Sequence, residues 1–101
     1  MEDPPLACTL SAGARQHRLT WIRELNAVAL RDHRRDGARI ELRYHPSAAP
    51  RVRELVRRER DCCPFLQFTI VGDGDDLCLV IEAPDDVGDG AEALLAPYAA
   101  T

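Results

Sequence analysis

Apolar side chains recur at helical spacing early in the chain: Trp21, Ile22, Leu25, Val28 and Ala29 share one face of a helix that Ser11 is placed to cap. Gly37 suits a C-terminal stop, so this helix is expected to run to about Arg34. From 38 to 45 the period changes to two. Ile40, Leu42 and Tyr44 alternate with Arg39, Glu41, Arg43 and His45, the pattern of a strand with one buried face. Pro46-Ser47 then turns the chain into a second helix, expected over about 48–62, whose apolar stripe is Val52, Leu55 and Val56. Pro64 bars continuation of that helix and pushes Cys63 out of the helical region.

Two further strands, Phe65–Val71 and Leu77–Ala83, are expected to pair across the turn Gly72-Asp73-Gly74-Asp75-Asp76. A last short helix near 87–98 offers Ala91, Leu94, Leu95 and Tyr98 to the core. The order α-β-α-β-β-α predicts an α+β fold of two layers. Helices cover one face of a small, mainly antiparallel, three-stranded sheet. The second hairpin strand is apolar on both sides, Leu77, Leu79 and Ile81 on one and Cys78 and Val80 on the other, which suits burial of its second face in a homodimer.

At 101 residues, with 46% hydrophobic and 30% charged, the chain reads as a single domain spanning 1–101, able to build a core without disulfide or metal staples. The formal charge is −4 and every cation is an arginine. The arginines gather between 31 and 60 and the acids from Asp73 onward. A mildly acidic domain is a poor non-specific binder of DNA, so no nucleic-acid partner is expected and the arginines read as a solvated helix face. No stretch approaches the roughly 20 apolar residues of a membrane span. Met1-Glu2-Asp3-Pro4-Pro5 carries acid and proline where a secretion signal carries basic charge. A cytoplasmic location follows, where thiols are kept reduced.

The concentrated chemistry is sulfur. Of four cysteines, Cys62 and Cys63 are adjacent. Neighbouring α-carbons lie about 3.8 Å apart, short of the roughly 4.4–6.8 Å of an ordinary disulfide. The two are thus badly placed to bridge each other, and both thiols are expected to stay free. Such a pair is a good ligand for soft ions such as Hg(II), As(III), Cu(I) or Zn(II), and equally suits thiol exchange or group transfer. Glu59 lies three and four residues before them, on their side of the helix, where a carboxylate can accept a thiol proton or orient a ligand. Its plainer reading is a charge at the stripe's edge, solvated or paired with an arginine. Cys8, just before the first helix, is the natural third sulfur of a trigonal site, and Cys78 reads as a packed sheet residue. The field at the pair is mixed. The helix C-terminus, Glu59 and Asp61 oppose thiolate, whereas Arg58 and Arg60 favour it.

Other motifs add little. No CxxC, HExxH, GxGxxG, Walker loop or serine elbow is present. His17, His33 and His45 share no ligand spacing and read as surface residues, while Asp73, Asp75 and Asp76 lack the spaced acids and closing glutamate of a calcium loop.

Ala7-Cys8-Thr9-Leu10, together with Glu59-Arg60-Asp61-Cys62-Cys63-Pro64-Phe65-Leu66-Gln67-Phe68-Thr69, resembles a set of small bacterial proteins of unassigned activity. These carry an early Cys-x-Leu and a central Glu-x-x-Cys-Cys-x-Phe. The pattern is similar to segments attached to MerR-type regulators, a group that includes metal-responsive members. This resemblance implies that Cys8, Glu59, Cys62 and Cys63 belong to one site. The chain carries no helix-turn-helix portion of a regulator.

The leading expectation is therefore a cytoplasmic protein that binds a soft metal or metalloid, or another small thiophilic ligand, through Cys62, Cys63 and Cys8, with Glu59 behind them. A thiol-exchange or group-transfer enzyme with Glu59 as base is the alternative. A structural or interaction domain with buried cysteines is the third.

Overall fold

In the computed structural model of the protein the described residues are 12–72, 75–84 and 90–101, the side chains of 12–15 and 62 excepted. Helix α1 spans Ala12–Ala29. Ile22, Leu25, Asn26 and Ala29, spaced three and four apart, are buried. Val28, expected on this face, is 77% exposed. The proposed cap Ser11 lies outside the described residues.

The helix does not continue to Arg34. At Leu30 the chain enters a strand, β1 (Leu30–Asp36), which pairs antiparallel with β2 (Arg39–Tyr44). Gly37, at φ 62°, belongs to the turn of this hairpin and is not a helix stop. The sheet consequently has four strands in the order β1-β2-β4-β3, where β3 is Gln67–Gly72 and β4 is Leu77–Glu82, and every pairing is antiparallel. The α+β class holds, but the expected three-stranded sheet and the order α-β-α-β-β-α are corrected to four strands in α-β-β-α-β-β-α. The physical reason is that β1 puts almost nothing into the core. Only Leu30 is half-buried; Arg31, Asp32, His33, Arg34, Arg35 and Asp36 are all exposed, so no alternation marks the strand. The backbone ladder to β2 holds it instead, with partly exposed ion pairs of Arg31 to Asp76 at 2.7 Å and Arg35 to Glu92 at 2.7 Å beside it. A register shift between Leu30 and Asp32 opens the hairpin with a bulge.

Left-handed backbone at Gly37 costs a residue with a Cβ about 1 kcal/mol or more. Gly37→Ala should lower stability by about that amount, read as a shift of the urea midpoint at unchanged slope. The cost is backbone strain alone, since a Cβ there would meet nothing within 4 Å.

Ile40, Leu42 and Tyr44 of β2, Leu77, Leu79 and Ile81 of β4, and Phe68 and Ile70 of β3 share one sheet face, as the cross-strand register requires. Against it pack α1, α2 (Ala49–Cys62) and the C-terminal segment, in one core cluster that includes Ile22, Leu25, Val52, Leu55, Leu95 and Tyr98. Each fully buried large aliphatic side chain stabilises the fold by about 1.5–3 kcal/mol relative to exposure. On the other face Val80, flanked by Glu41 and Thr69, is still buried, Cys78 is half-buried and Val71 is 51% exposed. The C-terminus is a short helix α3 (Gly90–Leu95) followed by a 3-10 turn, Ala96–Ala99.

Candidate functional site

Val52, Leu55, Val56 and Glu59 repeat at helical spacing along the inner side of α2, so a carboxylate occupies a core position of an apolar stripe. Glu59 is 1% exposed. It is neither solvated nor at the stripe's edge, but it is paired with an arginine. Arg18 of α1 donates from Nε to both carboxylate oxygens at 2.8 Å, and its Nη2 lies 2.7 Å from Oε1. The Tyr98 hydroxyl, from the C-terminal 3-10 turn, donates to Oε1 at 2.6 Å. Arg18 Nη2 also donates to the Tyr98 oxygen at 3.2 Å, and its guanidinium lies 5.5 Å from the Tyr98 ring centroid. A buried charge is tolerated when it is paired and hydrogen-bonded, and this one is held from two separate segments, α1 and the C-terminal turn.

The protonation states follow from the same contacts. Burial, and then the nearby Glu59 carboxylate, push the Tyr98 phenol up, so it remains a donor. Burial alone would lower the pKa of Arg18. Its hydrogen bond to Glu59 and the charge beside it outweigh that, and the guanidinium pKa is raised.

A second buried network fixes Tyr98. Asn26 donates through Nδ2 to the Tyr98 carbonyl at 2.8 Å and to the Ala100 carbonyl at 2.7 Å, and it accepts from the Tyr44 hydroxyl at 2.8 Å. Phe68 meets the Tyr98 ring edge-on, with centroids 6.2 Å apart. Tyr98→Phe removes two charge-assisted hydrogen bonds, the one to Glu59 and the longer one from Arg18, while keeping the ring. It should cost about 1–2 kcal/mol in urea unfolding, with the melting transition remaining cooperative.

Cys63 stands at the end of this arrangement. It caps α2 through its N–H to the Glu59 carbonyl at 2.7 Å, and its φ and ψ of −130° and 64° are outside the helical region, as the following proline dictates. Its sulfur is buried, 3.9 Å from Glu59 Oε1. Cys63 is disulfide-bonded, which corrects the expectation that both thiols of the pair are free. Cys78 is free, so the other half of the bond is outside the described side chains. Cys8 is also outside the described residues, and Cys62 is described only as the last residue of α2.

Glu59 and Cys63 are thus brought together as their spacing predicts. Arg18, Tyr98 and Asn26 were not anticipated as parts of the site. The one available signal was that Arg18, four residues before Ile22, shares its helix face. Among the described residues no group of three or more His, Cys, Asp or Glu side chains is placed to hold a metal. His17, His33 and His45 are exposed, and His45 uses Nδ1 to accept from the Ser47 amide at 3.1 Å. Cys78 sits opposite Arg43 and Val71 on the outer sheet face; burial and then Glu41 push its thiol up, which makes it a poor nucleophile. No described helix is long and apolar enough to cross a membrane. Comparison with protein families, with curated proteins and with solved structures finds no match.

Proposed function

We propose that the protein is a thiol-based binder of a soft metal or metalloid, acting in the reducing cytoplasm, with Cys63, Cys62 and Cys8 as ligands. The single observation that carries this reading is the disulfide at Cys63 beside Glu59: a second cysteine sulfur comes within bonding distance of a buried sulfur. Reduction by a cellular dithiol converts the disulfide to two thiols and oxidises the dithiol to its own disulfide. The two neighbouring thiols then take an ion such as Hg(II), each losing its proton to water as its sulfur–metal bond forms. Glu59, held by Arg18 and Tyr98 with Oε1 3.9 Å from the Cys63 sulfur, is a fixed acceptor for the thiol proton that reduction creates there.

The test is native mass spectrometry of the reduced protein titrated with Hg(II), As(III), Zn(II) and Cu(I), followed by alkylation. One retained ion that protects Cys8, Cys62 and Cys63 together is expected, with the poorly nucleophilic Cys78 unaffected by the ion. A Cys62→Ser, Cys63→Ser double variant that holds Hg(II) and As(III) as tightly as the parent would sink the proposal.

The disulfide also favours a second reading, a thiol–disulfide exchange enzyme. There a substrate thiol attacks one sulfur of the Cys63 disulfide and the other leaves as thiolate; a second substrate thiol then resolves the mixed disulfide. Failure to retain any ion, with one fast-alkylating cysteine and turnover of a small disulfide, would select this enzyme over the binder.

A further inference from the structure

We propose that the groove between α2 and the edge strand β3 is a binding site for a small organic oxyanion, a phosphomonoester or carboxylate with a compact apolar body. The groove is a hollow of about 390 Å³ lined by Arg53, Val56, Arg57, Arg60, Asp61 and Ile70. Its size is that of a small-molecule pocket. Arg53, Arg57 and Arg60 follow one another at four and three residues along α2, so three guanidinium stems line one wall. Arg60 reaches across to β3, where Nη2 donates to the Phe68 carbonyl at 3.2 Å. Val56 and Ile70 give the hollow its apolar part, since Val56 is buried and Ile70 half-buried.

Charge selects the ligand. The chain as a whole is at −4, yet along 53–61 of α2 the four cations Arg53, Arg57, Arg58 and Arg60 outnumber the carboxylates Glu54, Glu59 and Asp61. Glu59 does not offset them because it is turned into the core and paired with Arg18. Glu54 is shared by Arg57 and Arg58, whose hydrogen bonds pull its carboxyl down to about 2. Arg58 is turned towards Trp21, its guanidinium 4.6 Å from the ring centroid. One half-buried carboxylate thus serves two guanidiniums, and the remaining positive potential opens onto the groove beside Asp61. Guanidinium forks match the planar oxygens of carboxylates and phosphates, and the apolar part sets a preference for an organic anion over a bare one. The groove borders the inner stripe of α2 at Val56 but is not lined by Glu59, and it does not depend on the thiol reading.

The probe is phenyl phosphate, followed by backbone-amide and methyl NMR of the full, oxidised chain, with benzoate, benzyl alcohol and inorganic phosphate in parallel. Saturable shifts centred on Val56 and Ile70 are expected for phenyl phosphate or benzoate, and whichever binds more tightly names the head group. An Arg53→Gln, Arg57→Gln double variant should weaken binding at least 10-fold. Both arginines are exposed and the Glu54 pair is a surface one, so the variant should fold; an unchanged spectrum away from the groove checks this. The proposal is overturned if neither anion saturates, if the double variant binds equally well, or if benzyl alcohol or inorganic phosphate binds as tightly as the organic anions.

Discussion

Glu59→Ala is expected to lower the stability of the fold by about 3 kcal/mol, far more than a surface ion pair contributes. The substitution removes the carboxylate that pairs with Arg18 and leaves a guanidinium 13% exposed beside a phenol that has lost its acceptor. Breaking a fully buried pair by deleting one partner costs about 3–5 kcal/mol, and the residual solvent contact of Arg18 puts this case at the lower end. Glu59→Gln keeps the volume and an oxygen for Tyr98 but turns a donor towards Arg18, so about half the loss is expected. Arg18→Met, Glu59→Ala and the combined variant form a double-mutant cycle in urea. A coupling of about 2 kcal/mol is the expected result. A loss under about 1 kcal/mol for Glu59→Ala, or no coupling, would mean that the carboxylate is not anchored by Arg18 and Tyr98 as the structure places it.

The parts of the fold that write themselves into the sequence are those with one face in the core. Residues 39–44 alternate because Ile40, Leu42 and Tyr44 are buried while Arg39 and Arg43 are not, and α2 shows its stripe for the same reason. Strand β1 has no such signature. Its residues are exposed on both sides, so hydrophobic periodicity carries no information there, and arginine-rich sequence is as compatible with a helix. The local signal that did exist was Asp36-Gly37, a dipeptide typical of tight hairpins. It competed with Gly37 as a helix stop, and nothing upstream separated the two.

The site divides in the same way. Glu59 and Cys63 are four residues apart on one helix, so their proximity is a local matter. Arg18 and Tyr98 reach Glu59 across 41 and 39 residues, contacts that only the packing of α1 and the C-terminal turn on α2 creates. The disulfide was missed for a different reason. The spacing argument speaks only against a Cys62–Cys63 bridge, and the expectation of free thiols then rested on compartment rather than on geometry.

The second large effect is expected on reduction of the Cys63 disulfide. If Cys62 were the partner of Cys63, the closed ring would be too short for its reduction to release much chain entropy. If Cys8 is the partner, the bond closes a loop on the order of 55 residues, for which the chain-entropy relation gives about 4 kcal/mol. Reduction with a phosphine is therefore expected to lower the urea midpoint by about 2 M at a slope of about 2 kcal/mol/M, with peptide mapping of the oxidised protein locating the bond. Cys63→Ser should show nearly the same loss without reductant, and added phosphine should then change nothing. If the thiols released are the proposed metal ligands, Hg(II) at about 1,000 times its dissociation constant should return about 4 kcal/mol to the reduced parent and nothing to Cys63→Ser. A midpoint that is indifferent to the phosphine would exclude the long loop. Recovery by Hg(II) in the Cys63→Ser variant would place the metal away from this sulfur.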